Sequence, residues 1–424
     1  MLEQIEGSKA MARTIALCRP QVVCAYPITP QTHIVEGLGE LVRLGALSNC
    51  EFINVESEFA ALSVAIGASA AGARAYTATS SQGLLFMAEA VYNAAGLGLP
   101  IVMTLGNRAI GAPINIWNDH SDAMALRESG WIQLFAESNQ EAVDLHIIAF
   151  RLAEELSVPA MVCVDGFILT HAVERVDIPH QASVDAFLPP YEPVQSLDPT
   201  DPISIGAMVG PDAFTEVRYL QYSKQRNALG LIERLAAEFE GCFGRTAGGL
   251  LRAYAAEDAE TLVVAMGSIN GTIKDVIDEM RADGLAIGLV TLVAFRPLPT
   301  AALRQALARA HDVIVLDRAL DVGMGGPLAS NVATALRELP DPPALHSVIA
   351  GLGGRPIPKA SLHRLFRQAT IPPWEGVYFL DLNERVVARE IDRRSAARRV
   401  GPAAEGILKE LEKERVEKLE GSVR

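Results

Sequence analysis

Residues able to do chemistry gather first between Asn54 and Gly83 of this 424-residue chain. The stretch opens Asn54-Val55-Glu56-Ser57-Glu58 and closes Thr77-Ala78-Thr79-Ser80-Ser81-Gln82-Gly83. Ala, Gly and Ser crowd its middle, with Leu62, Val64 and Ile66 as the large aliphatics. Ala favours helix, and small side chains let other backbones approach closely. A Glu-Ser-Glu run at the start of such a helix puts a carboxylate where it can point inward. The exit is a β-type run, Ala75 to Thr79, followed by a polar Ser-Ser-Gln-Gly turn. Two more groups stand at strand ends: Thr29 in Tyr26-Pro27-Ile28-Thr29-Pro30, and Arg108 in Gly106-Asn107-Arg108. Ligand sites of α/β sheets are built at such carboxyl ends.

The elements that must carry these groups follow from the pattern. Ser8 to Leu17 reads as a helix and Val22 to Ala25 as a buried strand. The two prolines around Ile28-Thr29 force a rigid, extended path, so Thr29 is a hydroxyl on a stiff loop. His33 to Leu41 reads as helix, Phe52 to Val55 as strand, Leu84 to Ala95 as helix and Pro100 to Leu105 as strand. The loop Ala109 to His120 holds Asn115, Trp117, Asn118, Asp119 and His120, a composition costly to order unless it serves a site. Asp122 to Gly130 and Asn139 to Leu156 read as helices, and Ala160 to Val164 as a strand ending in Asp165-Gly166. Short apolar strands alternating with helices predict a mainly parallel sheet covered on both faces.

From Pro179 to about Asp212 prolines interrupt the pattern, which predicts a linker or covering arm. A helix over Gln225 to Phe239 leads into a second α/β unit. Its strands are Thr261–Ala265, Ile287–Leu292, Val313–Leu316 and His346–Ile349; its helices are Thr272–Arg281, Thr300–Arg309 and Leu328–Leu339. Gly323-Met324-Gly325-Gly326-Pro327 lacks the Lys-Ser/Thr ending of a P-loop and reads as a tight turn. Near the end, Arg389, Arg393, Arg394, Arg398 and Arg399 precede Ile407 to Leu419, a solvated charged helix.

Composition excludes several function classes. A net charge of -14 and a pI near 5.1 argue against nucleic acid or an anionic membrane as main partner. The five cysteines, Cys18, Cys24, Cys50, Cys163 and Cys242, form no CxxC pair and no Cys/His cluster. The chain itself is therefore expected to hold neither a structural zinc nor an iron–sulfur cluster. An odd cysteine count without a signal peptide fits a reducing cytoplasm, and no apolar run reaches membrane-spanning length.

Taken together, the chain resembles the α subunit of the thiamine-diphosphate-dependent 2-oxoacid:ferredoxin oxidoreductases. The residues that carry the resemblance are Tyr26-Pro27-Ile28-Thr29-Pro30, Glu56-Ser57-Glu58, Thr79-Ser80-Ser81-Gln82-Gly83 and Asn107-Arg108 with Ala112 to Trp117. Asp119-His120-Ser121-Asp122, Asp165-Gly166-Phe167, Phe295-Arg296-Pro297 and Gly351-Leu352-Gly353-Gly354-Arg355 continue it in the family's order. The resemblance implies an α/β architecture: a pyrimidine-type thiamine-binding domain over 1–180, a covering arm over 181–225, and a transketolase C-terminal-like domain over 226–370. Residues 371–424 form an extension outside the match. It also implies partner chains: a β subunit holding the diphosphate and its Mg2+, with γ and cluster-bearing δ-type subunits. Asp165-Gly166 continues as Phe167 where a diphosphate–metal motif needs a small residue, in keeping with that division.

The resemblance assigns roles residue by residue. Glu58 is the carboxyl that hydrogen-bonds the aminopyrimidine of the cofactor, which then removes its own C2 proton; from spacing alone it is equally a helix-start Glu without a role. Glu56 is a structural or rim acid. Thr29 and Arg108 hold the substrate carboxylate, for which a planar guanidinium with paired donors is suited; without the match they read as turn chemistry and a surface ion pair. Pro27, Ile28, Ser80, Ser81 and Gln82 line the cofactor, with a helix cap as the alternative for Ser80. Asn115, Asp119 and His120 order the loop or serve a subunit contact.

The implied reaction is oxidative, CoA-dependent decarboxylation of a 2-oxoacid to an acyl-CoA, its electrons leaving through clusters on partner chains to ferredoxin or another acceptor. Pyruvate is the default substrate. A branched 2-oxoacid or an arylglyoxylate such as phenylglyoxylate needs a larger pocket around Ile110, Ile114 and Trp117. Two other classes stand beside this one: a subunit of a non-oxidative thiamine enzyme, and a non-catalytic assembly subunit that kept the fold.

Overall fold

The computed structural model describes residues 2–368, 376–396 and 401–422. In the first half lie β1 (Leu2–Glu6), β2 (Val22–Ala25), β3 (Glu51–Asn54), β4 (Ala75–Thr79), β5 (Val102–Asn107), β6 (Ile132–Phe135), β7 (Ala160–Asp165) and β8 (Val173–Asp177). The second half supplies β9 (Leu251–Tyr254), β10 (Thr261–Ala265), β11 (Ile287–Leu292), β12 (Ala294–Arg296), β13 (Asp312–Asp317), β14 (Ala344–Ile349) and β15 (Val377–Phe379). Among the described residues they form a seven-stranded sheet in the order β12-β6-β7-β5-β4-β2-β3 and a six-stranded sheet in the order β15-β14-β13-β10-β11-β9. β1 and β8 pair as a separate antiparallel ribbon.

Strands β4 to β7 are buried along their whole lengths. This is the condition of parallel strands covered on both faces, and it explains why they lack an in-out alternation of apolar and polar residues. The edge strand β12 runs antiparallel to β6, so the second half of the chain lends a strand to the first sheet. The helix expected over Asp122 to Gly130 covers only Ser121–Ala125. Gly130, at φ +90°, then turns the chain into β6, too short a run to show a period in the sequence.

The helix read from Gln225 begins at Pro211 and runs to Phe243, with proline at its first turn. Proline fits there because the first N–H of a helix has no partner to lose. Its buried residues, Ala228, Ile232, Leu235 and Phe239, belong to the core of the first sheet. Phe239 meets Phe187 edge-on at 5.5 Å and stacks on Phe243 at 4.1 Å. The terminal helices Glu384–Ala396 and Ala403–Ser422 lie against each other through Arg385–Glu414 and Arg389–Glu410 pairs. Arg393 and Arg394 both turn back onto Glu390, whereas Arg398 and Arg399 lie outside the described residues. No helix among the described residues is long and apolar enough to cross a membrane.

A buried polar relay crosses the first core. Tyr76 and Thr104 hydroxyls are 2.6 Å apart, Thr104 lies 2.5 Å from His146 Nε2, and His146 Nδ1 lies 2.6 Å from the Ala142 carbonyl. Since only an N–H can bond a carbonyl, the proton sits on Nδ1 and Nε2 accepts from Thr104. Burial pushes the His146 value down to about 4. A depressed folded value means that the stability due to this group is present above the unfolded value, near 6.5. It is lost as pH falls from there toward 4. Between pH 7.5 and 5 this costs about 2 kcal/mol. His146→Gln is therefore expected to flatten the acid limb of a denaturation midpoint-versus-pH curve. An unchanged slope would contradict the neutral assignment.

Candidate active site

The parallel run β3-β2-β4-β5-β7 brings five strand ends to one edge of the sheet. There the loops carrying Thr29, Glu58, Ser80 and Arg108 meet. Glu58 is the first residue of the helix Glu58–Ala70, whose cap Ser57 accepts from the Ala60 N–H at 3.2 Å. Its side chain is 8% exposed, while Glu56 next to it is exposed. It beds on Gly83, where a Cβ would sit 2.7 Å from Glu58 Oε1 and 2.5 Å from Thr79 Oγ1. Glycine there is thus a condition of the inward carboxyl. Among the described residues no group hydrogen-bonds that carboxyl, and the buried hydroxyls of Thr79 and Ser80 also lack partners. Buried polar groups are normally paired, so this corner is polar and unsatisfied from within the described residues. That is what a polar heterocycle such as an aminopyrimidine requires.

Arg108 is buried, and it is joined to Thr29 directly. Its Nη1 donates to the Thr29 carbonyl and its Nε to the Asn115 carbonyl, each at 3.0 Å. Nη2 has no partner among the described residues. Burial lowers the guanidinium's value, and Asp122 opposes that. Asp122, which the sequence reading gave no role, holds this corner together. Its carboxylate accepts from Asn107 Nδ2, from the Ser81 and Arg108 backbone N–H groups, and from Ala123 N, all within 2.8–3.0 Å. Burial pushes it up to about 7 against the pull of those four donors. One carboxyl therefore ties the end of β4 to the end of β5.

The other expected residues fall around these. The hydroxyl of Ser81 donates to the Ala109 carbonyl at 2.5 Å and touches Gln82 Oε1. Ser80 stands at the N-cap position without a cap hydrogen bond, its Oγ aimed at Gly106. Tyr26 and Pro27 are exposed and Ile28 half-buried on the rim. Gln31, fully buried, braces their loop through the Tyr26 carbonyl at 2.9 Å. Ile114 and Trp117 are exposed on the long loop, and Ile110 is half-buried.

That loop is held by the second sheet. Asn115 Nδ2 donates to the Gly353 carbonyl at 3.1 Å, and the Gly353 N–H returns to Asp119 at 2.9 Å. Gly353, at φ +58°, and Gly354, against Trp117, leave room that a side chain would fill. His120 is nearly inaccessible and lies 2.9 Å from Asp165 Oδ1, so it orders the loop. Asp165 also accepts from the Ser268 N–H and from Arg318 Nη1, each at 2.7 Å. Burial alone would raise this carboxyl; Arg318, His120 and Ser268 outweigh it and hold it far below the usual range. With both oxygens committed, Asp165 is a clamp between the sheets. Arg318→Ala strands that buried charge and is expected to cost about 3–5 kcal/mol of stability. A denaturation midpoint equal to wild type would contradict the clamp. In the second sheet Asp317 caps the helix Pro327–Leu336 through the Leu328 and Ala329 N–H groups, so the glycine turn before it is a structural turn.

Residues 13–236 match the family described as pyruvate flavodoxin/ferredoxin oxidoreductase, thiamine diP-binding. Residues 259–361 match pyruvate:ferredoxin oxidoreductase core domain II. Pyruvate synthase subunit PorA of Methanosarcina barkeri is 46% identical over 390 residues, covering 90% of this chain and 97% of the relative. Ketoisovalerate oxidoreductase subunit VorA of Pyrococcus abyssi is 40% identical, covering 83% and 89%. Among solved structures, 2-oxoglutarate:ferredoxin oxidoreductase from Magnetococcus marinus, with 2-oxoglutarate, coenzyme A and succinyl-CoA bound, superposes with a TM-score of 0.67. It is 18% identical; the match covers 87% of this chain and 65% of that longer one, and it speaks to the fold alone.

Proposed function

We propose a function for a chain that belongs to the pyruvate flavodoxin/ferredoxin oxidoreductase family, as the α subunit of a 2-oxoacid:ferredoxin oxidoreductase. The enzyme converts a 2-oxoacid, CoA and an oxidised acceptor into acyl-CoA, CO2 and a reduced acceptor. Pyruvate is the substrate proposed, because relatives named pyruvate synthase are 42–46% identical to this chain. The observation that carries the site assignment is the buried Glu58 carboxyl, bedded on Gly83 and left without a partner among the described residues.

When bound, thiamine diphosphate supplies the carbon nucleophile and, through its aminopyrimidine, the base. This chain offers Glu58 to the pyrimidine ring nitrogen, with Thr79, Ser80 and Gln82 beside it and Pro27 and Ile28 on the rim. Thr29 and the uncommitted Nη2 of Arg108 receive the substrate carboxylate, while two backbone carbonyls fix the guanidinium plane. A β subunit supplies the diphosphate and Mg2+ half from across the exposed loop face, and the iron–sulfur clusters lie on further partners.

The test is made on the assembly purified through this chain. It should release CO2 from pyruvate only when CoA and a low-potential electron acceptor are both present. Steady release without either would instead assign a non-oxidative decarboxylase.

A further inference from the structure

The chain leaves β10 and β13 in opposite directions. β10 leads through the helix Ile269–Ala282 to β11 on one side, and β13 leads through Pro327–Leu336 to β14 on the other. The two helices pack into different cores, one on each face of the sheet. Neighbouring parallel strands that part in this way open a crevice at their carboxyl ends, where open α/β sheets take their ligands. The helix Ile269–Ala282 starts there on Ser268, whose hydroxyl does not cap it. Arg318, 5% exposed, enters from the end of β13. A helix N-terminus, a hydroxyl and a buried guanidinium together make a carboxylate site.

The crevice already holds a carboxylate, and it comes from the first sheet. One oxygen of Asp165 takes the Ser268 N–H, the Ser268 hydroxyl and Arg318 Nη1. Gly267, at φ +76°, makes the room: a Cβ there would lie 2.8 Å from that oxygen and 3.1 Å from His120 Nε2. The crevice also carries more polar groups than this occupant satisfies. Arg318 Nε and both amide atoms of Asn270, in the first turn of the helix, are buried without a partner among the described residues.

The seated carboxylate brings the substrate corner with it. Gly166, the next residue, donates its N–H at 3.1 Å to the carbonyl of Asn107, which directly precedes Arg108. It also lies so close to Pro30, which directly follows Thr29, that a Cβ would meet the proline ring at 2.5 Å. The second Asp165 oxygen faces His120 at 2.9 Å. The His120 N–H donates to the Arg318 carbonyl at 2.8 Å, so the end of the long loop is fixed to β13.

We propose that Asp165 is a positioning residue for the reaction: it serves as the bound ligand of the second sheet, and its seat in the β10–β13 crevice sets Thr29 and Arg108 for the substrate. This rests on the reading of those two residues as the carboxylate site. A contact that only glued the sheets together could fall anywhere along them. This one runs through the backbone neighbours of both substrate groups.

Chemical rescue in the purified assembly tests this. Asp165→Ala empties the crevice and leaves room for a small carboxylate, for which formate is the probe. KM for pyruvate should rise about tenfold or more, with kcat less affected. Formate should then lower KM again and raise the denaturation midpoint, both saturably; in wild type it should do neither. A residue that served stability alone would show no KM change for formate to reverse. Gly267→Ala removes no group but crowds Asp165 from its seat, so KM should rise and formate should not correct it. Where Asp165→Ala fails to assemble, Gly267→Ala decides alone. Absence of the formate effect in Asp165→Ala, or a wild-type KM in Gly267→Ala, overturns the proposal. A wild-type KM in Arg108→Ala, with the formate effect intact, rejects instead the reading of Arg108 on which it rests.

Discussion

Glu58→Gln is expected to leave the complex assembled and to lower kcat by about two orders of magnitude or more. The amide fills the same space on Gly83, so neither the helix start nor its Ser57 cap is disturbed. What changes is the group offered to the pyrimidine nitrogen. A carboxyl can share its proton there and so support proton removal; an amide cannot exchange a proton in step with the ring. The defect therefore belongs to kcat for every 2-oxoacid, and steady-state rates with two substrates measure it. Glu56 is exposed beside it, and Glu56→Gln is expected to stay close to wild type.

Arg108→Ala is expected to act on substrate capture. In the proposed role it would remove a charge-assisted contact to the carboxylate, an expected loss in kcat/KM of roughly 2–4 kcal/mol, or about 30- to 1,000-fold. It also frees the Thr29 and Asn115 carbonyls, so the two loops that frame the site lose a common tie. Arg108→Lys should recover only part of the loss, because an ammonium cannot present fixed parallel donors or reach both carbonyls in one plane. The carboxylate is common to all 2-oxoacids, so an aliphatic and an aromatic substrate should suffer alike. Changes at Ile110 or Ile114 should instead shift preference between them. If only one substrate suffers in Arg108→Ala, Arg108 reads the acyl group or merely positions the loop.

The sequence carried the α/β alternation well, because β4, β5 and β7 are short, mostly apolar runs with helix-forming stretches between them. It could not show that β12 crosses into the first sheet, since a three-residue edge strand has no pattern of its own. Glu58, Thr29 and Arg108 were legible as polar groups at strand ends. Asp122 was not, because its role lies in four donors that reach it from three separate segments. The clamp of Asp165 with Ser268 and Arg318 spans 153 residues of sequence. Asp165 and His120 were visible in it as motif residues, but Ser268 and Arg318 stand just past β10 and β13 with no local pattern to link them to Asp165. The arm escaped because its prolines masked a helix that starts on one of them, Pro211.

Exchange of the C2 proton of thiamine diphosphate bound in the assembled complex tests the central assignment most directly, because it reads the Glu58 contact before any substrate enters. Wild type should exchange quickly. Glu58→Gln should exchange about two orders of magnitude more slowly at full cofactor occupancy, and Glu56→Gln should match wild type. Near-normal exchange in Glu58→Gln, with the loss appearing in Glu56→Gln, would contradict the account and move the cofactor to the other carboxyl.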